Sequence, residues 1–213
     1  MMKRTTAWGE IRLAEYGNGY SDAERYCTSD QQLFFFLLLG EYLRVTKDYG
    51  FLAEEVACYP YRGEKPHPVW QFVKNCFLYL RDTVGRGEHG LVRLLNSDWN
   101  DAVYYIEKQP YNNVVFTGES HMNSAMACAV IPALERELRN AATVLGNLAK
   151  HLTILCDSMR VYADSVYEAF MADIGELSFS PRMYFAGKRY GEGPYIRALW
   201  CNIVVDLQFQ VIC

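Results

Sequence analysis

From Leu33 to Leu39 the chain runs seven apolar residues without a break, and it then turns polar as GEYLRVTKD. Ser29 or Asp30 can cap a helix that continues to about Asp48. Apolar residues surround its first two turns, which predicts burial on nearly all sides there. Its polar end reaches solvent, and Gly50 is the expected stop. A short helical turn is expected over 51–58, and a loop over YPYRGEKPHP, which holds three of the seven prolines. Trp70, Val73, Phe77 and Leu80 recur on one face of an amphipathic helix over 68–83. GRGEHG makes the next turn. QPYNNVVFTGE, at 109–119, reads as irregular.

The helical pattern returns from Ser120 to about Ile174 with one break. Pro132 marks a kink or a helix start, and Gly146 lies near the turn between two helices. Residues 176–192 carry turn-rich pieces, FSPRMYF and GKRYGEG, and read as a short hairpin. Residues 1–29 read as irregular, and the apolar run 195–212 fits either helix or strand. Helices joined by loops that carry the unusual residues point to an all-α or α-dominated fold.

Composition narrows the function classes. The 213 residues are 51% hydrophobic and 22% charged, enough apolar content for a folded core. A net charge of -4 leaves no basic footprint, so nucleic acid is not an expected partner. The run LFFFLLLG is far short of the roughly 20 residues that span a bilayer, so no membrane association is expected. MMKRTTAWGE has no apolar core of the secretory kind. The seven cysteines form no CxxC pair, and Cys76, Cys128 and Cys156 lie in apolar runs, which suits reduced thiols in the cytoplasm. The four histidines have no metal-ligand spacing, so no metal is expected.

The stretch Asp98, Trp99, Asn100, Asp101 is the main candidate for chemistry. Its carboxylates stand three residues apart, on similar faces of a helical turn. Paired carboxylates cleave glycosidic bonds, one of them kept protonated by an apolar wall, and a tryptophan supplies both that wall and a platform for a sugar ring. The other reading makes Asp98 the cap of a helix beginning at Trp99, with Trp99 in the core. Arg25 and Asp30, just before the apolar helix, offer a forked donor and a bidentate acceptor for sugar hydroxyls, or a surface cation and a cap. Glu119, in TGES before the long helix, suits a helix N-terminus or a general base.

As an ordered set these stretches resemble the inverting disaccharide phosphorylases of glycoside hydrolase family 94, the cellobiose and chitobiose phosphorylases and their cyclic β-glucan relatives. ERYCTSDQQLFFFLLLGEYLRVTKDYGFLAEEV is similar to a family segment of the form R-x-x-x-S-D-(D/Q), a helix and "TGD…LDEEV". GLVRLLNSDWNDAV resembles "GL…GDWNDGMN", GESHMNSAMACAV the family's "ES" helix, and RMYFAGKRYG its hairpin, over about residues 20–200. The resemblance implies an (α/α)6 barrel of the six-hairpin type. In it Asp101 is the general acid, Trp99 lines the sugar site, Arg25 and Asp30 hold the glycosyl unit, and Asp98 and Glu119 complete the substrate-binding set. Inorganic phosphate is the co-substrate, no cofactor is needed, and the products include a sugar 1-phosphate. Phosphate is already an anionic nucleophile, so no second carboxylate has to activate water.

Ser97 and Ala102 stand where the family has glycine. The family's β-sandwich domain and its phosphate-contacting "ENGG…H" and "TG(S/T)AGW" segments have no counterpart in the sequence. The resemblance therefore implies one incomplete domain over residues 1–213, a partial barrel whose exposed apolar faces favour oligomerisation or await missing segments. Two alternatives stand beside the phosphorylase. One is a non-catalytic carbohydrate-binding or interaction protein of that fold, and the other is an inverting glycoside hydrolase.

Overall fold

A computed structural model of the chain describes residues 4–12, 28–59, 65–96, 98, 111–175, 177 and 180–190. Arg25, Trp99, Asp101 and the run 195–212 lie outside the described residues. The described chain is mainly helical, with two small antiparallel sheets. It divides into two compact units. The first comprises Met1–Cys27, Gln31–Thr83 and Val130–Tyr162, and the second Thr28–Asp30, Val84–Ala129 and Ala163–Cys213.

In the first unit, helix α1 spans Gln31–Thr46. Leu33, Phe36, Gly40 and Leu43 form a buried stripe at helical spacing. Leu37 and Leu38 face solvent. The expectation of burial all round is thus corrected: a 16-residue helix still offers its neighbours one stripe. Its end also differs from the Gly50 stop. Lys47 takes a positive φ of 56°, and its N–H donates to the Leu43 carbonyl at 2.9 Å. Gly50 falls instead within a 3₁₀ turn, Tyr49–Ala53, whose start is capped by the Asp48 carboxylate accepting from the Phe51 amide.

Strands β1 (Glu55–Val56) and β2 (His67–Pro68) pair antiparallel, so the YPYRGEKPHP loop ends in strand. Helix α2 follows at Val69–Leu78 and widens into a π turn over Tyr79–Val84. Val73, Phe77 and Leu80 are fully buried, as their spacing predicts, whereas Trp70 is half-buried. Each such apolar side chain contributes about 1.5–3 kcal/mol on burial. The Thr6–Gly9 turn lies against α2. A Cβ on Gly9, at φ 94°, would come within 2.0 Å of the Asn75 carbonyl oxygen, so glycine is required for the approach.

In the second unit, helix α3 spans Tyr111–Thr117, within the stretch read as irregular. Asn-rich, β-branched sequence carries a weak helical signal, and tertiary packing supplies the rest: Val114 is buried beside Leu94, Met183 and Phe185. Strand β3 (Glu119–Ser120) pairs with β4 (Met183–Phe185), and β4 with β5 (Lys188–Tyr190). The expected hairpin is therefore present. Its two-residue turn, Ala186–Gly187, has positive φ at both positions (48° and 70°), the twist that suits a tight hairpin. Single antiparallel bridges add Arg93 beside Glu119 and Leu95 beside Thr28.

Helix α4 runs His121–Val144 and helix α5 Ala149–Ile174, with Gly146 in the turn between them. Pro132 sits inside α4 and does not start a new helix. Residues of both helices are shared between the two units. Among the described residues, no helix is long and apolar enough to cross a membrane.

Candidate functional site

Glu119 and Ser120 are successive residues of β3, so their side chains leave opposite faces. Each face gathers its own polar cluster.

On the Ser120 face lies Asp98, which is 2% exposed. Ser120 sits just before α4 and caps it, its Oγ accepting from the Asn123 amide at 3.0 Å. The same hydroxyl donates to Asp98 Oδ2 at 2.6 Å. Arg182 Nη2 donates to Asp98 Oδ1 at 2.5 Å, and this guanidinium is almost as buried as the carboxylate. Charge compensation is essential there, because a lone buried charge costs several kcal/mol. Asn123 Nδ2 donates to Ser29 Oγ at 2.7 Å, and Ser29 Oγ donates to the Leu94 carbonyl at 2.8 Å. The start of α4, the segment before α1 and the segment leading to Asp98 thus form one hydrogen-bonded unit. Asp30, beside Ser29, is also buried.

On the Glu119 face the carboxylate is almost wholly enclosed. Oε1 accepts from His89 Nδ1 at 2.7 Å and from the His89 amide at 3.2 Å. Oε2 accepts from the Leu91 amide at 3.0 Å. A Cβ on Gly87 would lie 2.2 Å from the Glu119 carboxyl carbon. The His89 ring stacks on Tyr184 with centroids 3.7 Å apart. His121, two residues beyond Glu119, also stacks on Tyr184, at 5.4 Å. Its Nε2–H donates to Asp173 Oδ2 at 2.6 Å, and Tyr184 Oη donates to Asp173 Oδ1 at 2.5 Å.

Burial pulls the His121 pKa below its usual value despite Asp173, so the ring is neutral at pH 7. Burial raises that of Asp173, but hydrogen bonds from His121 and Tyr184 outweigh it and leave a net lowering. Burial, and then Asp173, push the Tyr184 phenol up to about 12. Among the described residues, no three of His, Cys, Asp and Glu lie together as a metal site requires.

Of the residues singled out in the sequence, Asp30, Asp98 and Glu119 are buried in this unit. Arg25, Trp99 and Asp101 lie outside the described residues. Glu119 stands two residues before α4, and its carboxylate holds the segment 87–91. His89 is its partner. Sequence reasoning did not single out Arg182, Asp173 or Tyr184. The one available signal was an arginine set among the apolar residues of the RMYF hairpin piece, a natural counter-ion for a buried aspartate.

No family profile matches the chain. A segment of 85 residues, 40% of the chain, is 32% identical to solabiose phosphorylase from Paenibacillus borealis. The match spans 10% of that protein's length.

Proposed function

We propose that this chain is a carbohydrate-active domain related to the inverting glycoside phosphorylases. In this reading it is an incomplete (α/α)6 barrel that cleaves a β-linked disaccharide or oligosaccharide with inorganic phosphate and releases a sugar 1-phosphate. The observation that carries the reading is the 32% identity to solabiose phosphorylase. The buried ion pair of Asp98 supports it, because it fixes the start of the DWND segment against the N-terminus of α4.

Asp101 is the general acid and protonates the departing glycosidic oxygen. Trp99 forms the apolar wall and sugar platform. Arg25 and Asp30 hold the glycosyl unit. Asp98, spent on Ser120 and Arg182, places the segment that carries the acid. Phosphate attacks the anomeric carbon from the far face, the C–O bond breaks, and the proton from Asp101 leaves with the acceptor sugar.

The same partial likeness, over a tenth of the relative's length, also fits a second reading, a non-catalytic carbohydrate-binding or interaction protein of that fold. The two separate in one assay, phosphate release from glucose 1-phosphate offered with glucose, cellobiose or N-acetylglucosamine. Release that requires an acceptor and disappears in Asp101→Asn, with sugar binding retained, supports the phosphorylase. Sugar binding without release supports the second reading.

A further inference from the structure

We infer that Glu119 is a positioning residue for the acid-bearing segment and takes no part as a base, which rests on the phosphorylase reading above. Both of its oxygens are engaged by three N–H groups from His89 and Leu91. The residue is 1% exposed, so its carboxylate meets these N–H groups in place of solvent. Glu119 and Ser120 therefore grip the same segment from the two faces of one strand. Glu119 holds its start at residues 87–91, and Ser120 holds Asp98 seven residues further on.

The shape of the turn fits this role. Gly87 leaves room for the carboxylate, which is pinned by three hydrogen bonds and cannot swing away from an added methyl group. Arg86 anchors the other side of the turn, with Nε donating to the Gly90 carbonyl at 2.5 Å and Nη1 to Ser165 Oγ at 2.7 Å. The His89 ring is clamped between its hydrogen bond to Glu119 and the face of Tyr184. In the phosphorylase reading Asp101 follows Asp98 by three residues in sequence and gives up its proton across a distance that a loosened clamp would change. Proton donation depends steeply on that distance.

The test compares cellobiose with β-glucosyl fluoride, each with inorganic phosphate, in wild type, Glu119→Gln and Gly87→Ala. Fluoride departs without a proton, so a misplaced acid harms only the disaccharide reaction. The expected result is a fall in kcat of at least about 10²-fold on cellobiose. KM should be little changed, and the fluoride reaction should be nearly unaffected, in both variants. Equal losses on the two substrates would overturn the positioning role, since a base or a general collapse of the fold would slow both.

Amide exchange provides the readout that does not depend on turnover. The His89 and Leu91 amides should exchange faster in Glu119→Gln while amides in the middle of α4 stay protected. Unchanged exchange at both would overturn the clamp. Should the wild type act on neither substrate, the phosphorylase reading fails by itself, and the exchange result still decides whether Glu119 holds the turn.

Discussion

The interior of the first unit and the β3 region of the second are both well buried, yet they are held by different forces. In the first unit, Leu33, Phe36, Leu43, Phe72, Phe77 and Leu134 fill the interior. Its buried carboxylates include Glu135, which takes Arg160 Nη2 at 2.8 Å and also the Nε of Arg139, one helical turn along α4, and Glu137, which takes the half-exposed Lys47 Nζ at 3.0 Å. Around β3, by contrast, Asp98, Glu119, Ser120, His121, Asn123 and Arg182 are all buried, and each is paired across a long stretch of sequence. An apolar interior tolerates inexact geometry, since burial has no direction. A polar interior is stable only when its partners are all in place. The second kind costs more to specify and suits a site that must hold a charged group in one position.

The largest effects come from removing one buried side chain in each region. Phe36→Ala should cost about 3–5 kcal/mol by transfer and cavity terms. Arg182→Met should cost about as much, 3–5 kcal/mol, by stranding the Asp98 carboxylate. Urea unfolding measures both. The double variant Arg182→Met with Asp98→Leu sharpens the contrast, because it removes the stranded charge and should recover most of the loss. Additive losses in that pair would show that the ion pair is not what holds β3.

A smaller effect separates the two regions by pH. The pKa of His121 is lowered on folding, so the unfolded chain binds the extra proton more readily than the native one. Stability contributed by the neutral ring is therefore present above about pH 6.5 and is lost as pH falls below it. The lowered pKa of Asp173 adds a further loss in the same direction at more acid pH. His121→Gln should flatten the first part of the stability curve and leave the acid limb. A curve unchanged from pH 7 to pH 5 would mean that the ring does not titrate on unfolding.

The smallest effect lies on the surface of the first unit. Arg44 and Glu41 form an ion pair at 2.8 Å with both side chains more than half exposed. Arg44→Ala should leave the Tm indistinguishable from wild type. A clear drop would mean that surface charge carries part of the stability credited to the apolar interior.

Sequence by itself determined helices α1, α2, α4 and α5, though not α3, together with the turn at Gly146 and the hairpin of β4 and β5. Each depends on a pattern within a few residues: a 3.6-residue apolar repeat, a helix-breaking turn, or paired short strands. It also singled out Asp98, Glu119 and Asp30 as unusual, because acidic residues among apolar ones invite a reason. Only the tertiary structure decided what those residues do. Glu119 meets His89 from 30 positions away, His121 meets Asp173 from 52, and Asp98 meets Arg182 from 84. It also decided where α1 ends, with Lys47 in a left-handed conformation that no local rule favours over Gly50. Apolar periodicity survives in one dimension because a helix repeats its own geometry. A buried hydrogen bond has no period, and its partner is chosen by which segments the folded backbone brings within 3 Å of each other.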